Sequence, residues 1–150
     1  MDTLSGFENV SGTNYDDVLT GDAGVNQLYG WSGRDTLNGG LGNDILTGGF
    51  GADRFVFSAN GGRDRIRDFS IAQGDKIVLN AASFGLAANA SIADYLVIGT
   101  AALKADHGYL VANDRGVWWD ADGSGAGAAQ QLVQVDTAIA GLNASQFVFA

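Results

Sequence analysis

The 150-residue chain contains no cysteine and no proline. Without cysteine it can form neither a disulfide nor a thiolate metal site, which fits a secreted protein stabilised by other means. Without proline, every strand residue can donate its backbone hydrogen bond, as uninterrupted stacking of strands requires. No apolar run reaches transmembrane length, so we predict no membrane span, and the first residues lack the basic and apolar segments of a signal peptide.

Basic residues are also scarce, because eight lysines and arginines stand against 17 aspartates and glutamates, for a formal net charge of −9. Residues 1–56 hold eight acids and two bases, whereas residues 57–150 hold nine acids and six bases. Such a chain predicts cations as partners and makes nucleic acid a poor one. A merely solubilising acidic surface would have the same composition, so the positions of the acids decide between the two interpretations.

Residues 3–56 form six consecutive nine-residue units without insertion or deletion. Glycine fills the first and the fourth place in five of the six units. The eighth place is always large and apolar: Val10, Leu19, Leu28, Leu37, Leu46 and Phe55. The sixth place is an acid or its amide: Glu8, Asp17, Asn26, Asp35, Asp44 and Asp53. So short a unit can bury its apolar residue only against its neighbours, which predicts a stacked solenoid with its acids in rows.

The last two units resemble a known calcium-binding motif. Residues 39–47 (GGLGNDILT) and 48–56 (GGFGADRFV) match the nonapeptide of RTX proteins at every defined place. The resemblance implies a parallel β-roll with two nonapeptides per coil, whose six-residue turns bind Ca²⁺. Residues 53–80 resemble the segment that follows the last repeat in serralysin-type metalloproteases. We therefore predict an all-β fold, with a parallel β-roll of calcium-binding repeats over residues 1–56 and a mostly antiparallel β cap over residues 57–150.

Elementary geometry agrees with this resemblance. Glycine at the first and fourth places permits positive φ and close backbone approach, and the last three places form a minimal strand. Stacked strands lie about 4.8 Å apart and Ca²⁺–oxygen distances are about 2.4 Å, so one ion fits between acidic loops of successive coils. Without the ion, two carboxylates about 5 Å apart repel by roughly 3 kcal/mol at an effective dielectric near 20. We therefore expect calcium to be required for folding.

Two units per coil place same-side neighbours eighteen residues apart, giving the rows Asp17–Asp35–Asp53 and Glu8–Asn26–Asp44. We expect the best ions between Asp17 and Asp35 and between Asp35 and Asp53, with a weaker one near Asp44. The family's loops also donate carbonyls from places two and four, which implies a ligand set of Trp31, Gly33, Gly40, Gly42, Gly49 and Gly51. Asp64 is expected to replace the carboxylate missing at Gly62; Asp68 could do so too, or pair with nearby arginines. Departures at Tyr15, Asp22 and Trp31 make the first two loops doubtful.

The remaining segments predict further strands. Residues 64–69 and 75–79 are expected to be strands separated by a turn at Gly74, and residues 95–99, 109–121 and 132–150 contain further strand patterns. Residues 81–94 are expected to form a short helix or loop. Trp118 and Trp119 are either a sugar-stacking platform or ordinary core residues. Residues 120–125 (DADGSG) resemble part of an EF-hand loop without its final glutamate, so ion binding by Asp120 and Asp122 stays open.

The sequence predicts a binding module and no enzyme. His107 is the only histidine, and neither a nucleophile motif nor an HExxH zinc site is present, which argues against a serralysin-type catalytic fragment. The tail at residues 147–150 resembles the C-terminal signal read by type I secretion machinery, with Gln146 where the family often has an acid; it could equally be an ordinary last strand. We predict a secreted, extracellular bacterial module that folds on Ca²⁺. The alternative is a carbohydrate-binding accessory module of a polysaccharide-modifying enzyme, which an exposed aromatic or basic strip would favour.

Overall fold

A computed structural model describes residues 6, 8–87, 89–98, 109–113, 115–121, 129–136 and 140–150. The strands are β1 (Asn9–Ser11), β2 (Val18–Thr20), β3 (Gln27–Ser32), β4 (Thr36–Asn38), β5 (Ile45–Phe50), β6 (Arg54–Phe57), β7 (Asp64–Ile66), β8 (Lys76–Leu79), β9 (Leu96–Ile98), β10 (Tyr109–Asn113), β11 (Gly116–Asp120), β12 (Gln130–Val135) and β13 (Phe147–Phe149). The helical elements are a 3₁₀ helix (Ala81–Phe84), the four-residue α1 (Ile92–Tyr95) and a second 3₁₀ helix (Ala144–Gln146). No helix of the described residues is long and apolar enough to cross a membrane.

The repeats wind into a parallel β-roll of about five turns between two sheets. The eight-stranded sheet has the order β1-β3-β5-β7-β12-β11-β10-β9, and the five-stranded sheet has the order β13-β8-β6-β4-β2. Leu28 pairs with Val10 on one side and with Leu46 on the other, a spacing of eighteen residues. Two nonapeptides therefore make one coil, as the resemblance implied, because alternate units return to the same sheet.

The eighth place of each unit fills the space between the sheets. Leu28, Leu37, Leu46 and Phe55 are at most 1% exposed, and their chain neighbours point outward. This alternation follows from the pleat of the strand, which sends successive side chains to opposite faces. Burying a side chain of this size contributes about 1.5–3 kcal/mol to folding. Each nine-residue unit therefore adds one stabilising core residue to the stack.

The roll continues beyond the last nonapeptide, but its period stretches. Ile45 pairs with Arg65 and Arg54 pairs with Lys76, so the next turns are two and four residues longer than the repeat. Strands β7 and β8 thus occupy the two predicted strand segments, with Gly74 at φ +97° between them. The added residues lengthen the turns, and the strand pairing in both sheets stays parallel.

The C-terminal part completes both sheets. Strands β10, β11 and β12 are antiparallel, the antiparallel portion that the sequence predicted, and they join the roll through a parallel pair of β12 with β7. Strand β13 adds in parallel to β8. Trp119 packs against the core with its ring 5.0 Å from that of Phe84, and Trp118 is half-buried. Asp120 is buried at the end of β11, whereas Asp122 and His107 lie outside the described residues.

Candidate metal centre

The sixth-place aspartates form a hydrogen-bonded ladder along the turns that lead into the five-stranded sheet. The backbone N–H of Asp17 donates to Oδ1 of Asp35 at 2.9 Å, that of Asp35 to Asp53 at 2.9 Å, and that of Asp53 to Asp75 at 3.0 Å. We call these four residues the first ladder. One oxygen of the Asp35, Asp53 and Asp75 carboxylates is thereby fixed against the preceding coil, so the orientation of the other oxygen is set as well.

A second ladder runs along the opposite turns. The N–H of Asn26 donates to Oδ1 of Asp44 at 2.8 Å, and the N–H of Asp44 donates to Oδ1 of Asp64 at 2.9 Å. Asp64 therefore stands where the sequence argument placed a substitute for the carboxylate missing at Gly62. The Asp44 carboxylate contributes to the raised pKa of Asp64, so the ladder brings two buried acids close together.

Three carboxylate oxygens in these ladders lack a donor. The Oδ2 atoms of Asp35, Asp44 and Asp53 are buried and have no hydrogen-bond partner among the described residues, and the three residues are at most 1% exposed. A buried unsatisfied polar atom costs about 1–3 kcal/mol, and more when it is charged. Oxygens of this kind are the ligands that Ca²⁺ prefers, so the chemistry of the three positions fits a hard divalent cation.

At three other ladder members, Asp17, Asn26 and Asp75, the protein itself donates hydrogen bonds to the side-chain oxygens. Asp17 Oδ2 accepts from the backbone N–H of Thr13 at 2.6 Å and from its hydroxyl at 2.9 Å. Asn26 Oδ1 accepts from the N–H of Asp22 at 2.8 Å, and Asp75 Oδ2 accepts from that of Ser70 at 2.8 Å. Asp35, Asp44 and Asp53 thus keep an oxygen free of donors, whereas Asp17, Asn26 and Asp75 are closed by hydrogen bonds.

The backbone of the loops shows the same division. Trp31 (φ +82°), Gly40 (φ +94°) and Gly49 (φ +101°) at place two adopt positive φ, as do the place-four glycines Gly33 (φ +128°), Gly42 (φ +116°) and Gly51 (φ +134°). Trp31 is the single non-glycine residue with positive φ in the described part of the chain. No residue of the loops 13–17 and 22–26 has positive φ. The two loops that the sequence argument marked as doubtful therefore differ in backbone from the other three.

Close contact between coils explains the glycines. A Cβ on Gly51 would collide with the carbonyl oxygen of Gly33, and a Cβ on Gly49 would collide with that of Trp31. The carbonyls of places two and four thus face the same places of the next coil. A Cβ on Gly48 would collide with Oδ2 of Asp53, so the first place must also be glycine for the carboxylate to keep its position.

Burial sets the protonation of these acids. Loss of hydration raises the pKa of Asp53 to about 6 and that of Asp64 to about 7, and the neighbouring carboxylates Asp75 and Asp44 add to the respective rises. The same loss of hydration raises the pKa of Asp35 and of Asp44. The fold therefore disfavours the charged form at these places unless a counter-charge is supplied.

Side chains alone do not make a metal cage here. Within the described ranges, no group of three or more histidine, cysteine, aspartate or glutamate residues is arranged to hold a metal ion.

Two features of the site were missed from the sequence. Asp75 completes the first ladder, and Asp68 accepts from the N–H groups of Gly48 and Gly49 at 3.0 and 2.8 Å instead of pairing with an arginine. Asp75 directly precedes a strand, as Asp53 does, and this position in the sequence could have indicated its role. It was missed because the turn before it is four residues longer than the repeat, so Asp75 is not eighteen residues after Asp53.

A family model for the RTX calcium-binding nonapeptide repeat matches residues 2–37 and 32–66. Residues 2–66 are therefore similar to RTX calcium-binding nonapeptide repeats. Similar solved structures include the extracellular lipase LipA from Serratia marcescens, with 24% identity over 98% of this chain and a TM-score of 0.42. The AlgE6R3 subunit of the Azotobacter vinelandii mannuronan C5-epimerase has 29% identity over all of this chain and a TM-score of 0.47.

The compared lengths differ widely. This chain spans 22% of the Serratia lipase and 87% of the AlgE6R3 subunit. A comparison with curated proteins gives no match.

Proposed function

We propose that this chain is a calcium-dependent folding module of an exported bacterial protein. The observation that carries the proposal is the set of three buried Oδ2 atoms without a donor, one each on Asp35, Asp44 and Asp53, within RTX repeats. A protein that desolvates three acid groups in this way gains stability from any cation that it can hold beside them.

The residues that would hold Ca²⁺ are these three aspartates and the carbonyls of the surrounding loops. The carbonyl donors would be Trp31, Gly33, Gly40, Gly42, Gly49 and Gly51. When bound, Ca²⁺ supplies positive charge at the points where the coils bring carboxylates together. Asp64 would share the position of Asp44, whereas Asp17 and Asn26 would contribute more weakly, since Thr13 and Asp22 already donate to their side chains.

The expected free energies are large enough for a switch. Extracellular calcium modules typically have a Kd of about 10⁻⁴–10⁻³ M. A ligand at ten times its Kd stabilises the fold by RT ln 11, about 1.4 kcal/mol per site, so three sites would add about 4 kcal/mol. Many domains are stable by about 5–15 kcal/mol, so this difference could separate an unfolded chain in low calcium from a folded one outside the cell.

Calcium titration of the chelated full chain tests the proposal, with circular dichroism and tryptophan fluorescence as readouts. We expect a cooperative gain of β structure that Asp35→Ala weakens strongly. Asp94→Ala is the matched control, because Asp94 is an exposed acid in the first turn of α1 and belongs to neither ladder. A chelated chain that is fully folded and indifferent to calcium would refute the folding role.

We further propose that the module is exported by type I secretion machinery, with residues 147–150 as part of its signal. In the folded chain Phe147 pairs with Ile77 and the tail forms the last strand, so the tail would be readable only before folding. The test is export of a reporter fused ahead of the module. Deletion of residues 147–150 should abolish export, whereas Asp35→Ala should impair only folding afterwards; equal export of both would refute the signal.

A second candidate function is binding of an acidic polysaccharide, which a groove on the outer face of the eight-stranded sheet favours. The groove measures about 240 Å³, and its polar and aromatic lining includes Asn9, Ser11, Gln27, Tyr29, Thr47 and Arg67. Tyr29 is 41% exposed and stands edge-on to Trp31, with ring centroids 4.9 Å apart. The Arg67 guanidinium has no side-chain partner among the described residues. Aromatic faces stack on sugars, and a free guanidinium suits a carboxylate.

Calorimetric titration with a polyuronate at saturating calcium tests this candidate. Arg67→Gln should weaken binding, and Arg54→Gln on the other sheet should not, because Arg54 lies outside the groove. Equal affinity for a neutral glucan, or equal loss in both variants, would contradict recognition of an acidic sugar by this face.

A further inference from the structure

Three side chains beyond the repeats hold the backbone of the last calcium loop. Gly48 and Gly49 donate their N–H groups to the two carboxylate oxygens of Asp68. Gly51 donates its N–H to Oε1 of Gln73 at 2.7 Å, and Asp53 donates to Oδ1 of Asp75 at 3.0 Å. We call Asp68, Gln73 and Asp75 the capping triplet.

Three of these four bonds, those from Gly48, Gly51 and Asp53, have a counterpart inside the repeats. The N–H of Gly33 donates to the carbonyl of Phe50 in the next coil at 2.9 Å, which corresponds to the bond from Gly51 to Gln73. The N–H of Asp35 donates to Asp53, which corresponds to the bond from Asp53 to Asp75.

The hydrogen bond from the first residue of the nine-residue unit also has a counterpart inside the repeats. The first-place N–H of Gly21 donates to the carbonyl of Asn38 at 2.8 Å, a bond that Asp68 replaces at Gly48. The capping triplet therefore supplies hydrogen-bond acceptors from its side chains. A further coil would supply the corresponding acceptors mainly from its backbone carbonyls.

We infer that the capping triplet positions the calcium loop 48–53 and makes the position at Asp53 the tightest of the three. This inference rests on the proposed calcium binding. The loop at residues 31–35 receives its corresponding bonds from residues that themselves belong to a calcium loop. The loop at 48–53 receives them from Asp68, Gln73 and Asp75, whose own acceptor atoms are engaged without an ion. A loop that is already ordered loses less conformational entropy on binding.

The orientation of Asp53 links the triplet to the ion. Asp53 is 1% exposed, its N–H is held by Asp75, and its Oδ2 has no donor in the described part of the chain. Gly51 precedes it by two residues, and its carbonyl is one of the proposed ligands. Release of the Gly51 N–H would free the Phe50–Gly51 peptide. The backbone of Gly51 would then no longer hold the adjoining Gly51 carbonyl in one orientation, while Asp44 on the other ladder would keep all its contacts.

The test is a calcium titration of the isotope-labelled full chain by NMR, which follows the amides of Gly51 and Asp53, of Gly42 and Asp44, and of Gly33 and Asp35 separately. In the unaltered chain the amides at Asp53 should reach their midpoint at the lowest calcium. Gln73→Ala should weaken the Asp53 position about threefold to tenfold, the value of one hydrogen bond, and the Asp44 position much less. Gln73→Glu keeps an acceptor and should retain the affinity.

The control is Gln134→Ala, since the Gln134 side chain accepts from Arg63, which lies outside the loop 48–53. An equal shift of all three midpoints in Gln73→Ala, or no shift at Asp53, would overturn the positioning role even though calcium binds. Absence of any calcium response in the unaltered chain would instead refute the proposed function. The two failures are therefore distinguishable.

Discussion

Acidification should stabilise the calcium-free chain, which is the opposite of the usual behaviour of an acidic protein. Burial raises the pKa of Asp53 and of Asp64 above the unfolded value of 3.8. A group whose pKa is raised by folding binds its proton more tightly in the folded state, so its contribution is fully present below pH 3.8. That contribution is lost as the pH rises through the folded pKa values, about 6 and about 7.

The size of the effect follows from the shifts. A rise from 3.8 to about 6 at Asp53 corresponds to roughly 3 kcal/mol, and a rise from 3.8 to about 7 at Asp64 to roughly 4 kcal/mol. Between pH 8 and pH 5 only part of this is recovered, about 1 kcal/mol for Asp53 and about 3 kcal/mol for Asp64. In saturating calcium the sign should reverse, because protons then compete with the ion for the same carboxylates.

Urea denaturation in chelator at several pH values, followed by circular dichroism, measures this dependence. Asp64→Asn is the most informative variant, because the amide keeps an acceptor for the N–H of Asp44 but removes the carboxylate charge. It should stabilise the calcium-free chain at pH 8, flatten its pH profile and destabilise the calcium-bound chain. Calcium-free stability that falls steadily from pH 8 to pH 5 would refute the reasoning.

Three further changes test separate parts of the account. Gly48→Ala should lower calcium affinity at least tenfold, because its Cβ would displace Oδ2 of Asp53. Gly24→Ala is the control for calorimetric titration, because its Cβ would meet the flexible Asp22 side chain at 3.2 Å and no backbone atom within 4 Å. Phe55→Ala should cost about 3–5 kcal/mol in urea denaturation with calcium present, since the ring is fully buried beside Phe69; a cost under 1 kcal/mol would contradict the described core. Asn143→Ala should cost about 1 kcal/mol in the same assay, because Asn143 and Gln146 form a reciprocal cap before β13; no change would show that this cap does not stabilise the tail.

The sequence predicted the roll and most of its ladders because the period is strict. Six units without insertion place Asp17, Asp35 and Asp53 at equal spacing, and a stack of parallel strands converts that spacing directly into contact. The place of Asp64 could be anticipated because only two residues are added before it. The positions of the acids could therefore be predicted over the residues that keep the nine-residue period.

The remainder depends on contacts that no period encodes. The four added residues before Asp75 concealed its membership of the first ladder, and the roles of Asp68 and Gln73 depend on the path of that longer turn. The closure of Asp17 by Thr13 depends on one hydroxyl and a local turn. The parallel pairing of β7 with β12 joins residues that lie about seventy positions apart, which pattern alone does not indicate.

Isothermal titration of calcium into the chelated full chain tests the central claim most directly, namely that the unpartnered Oδ2 atoms are calcium ligands. We expect three bound ions per chain, one for each of Asp35, Asp44 and Asp53, and loss of all three in the variant that changes these residues to asparagine. Absence of binding heat in the unaltered chain, or an unchanged stoichiometry in the triple variant, would contradict the account.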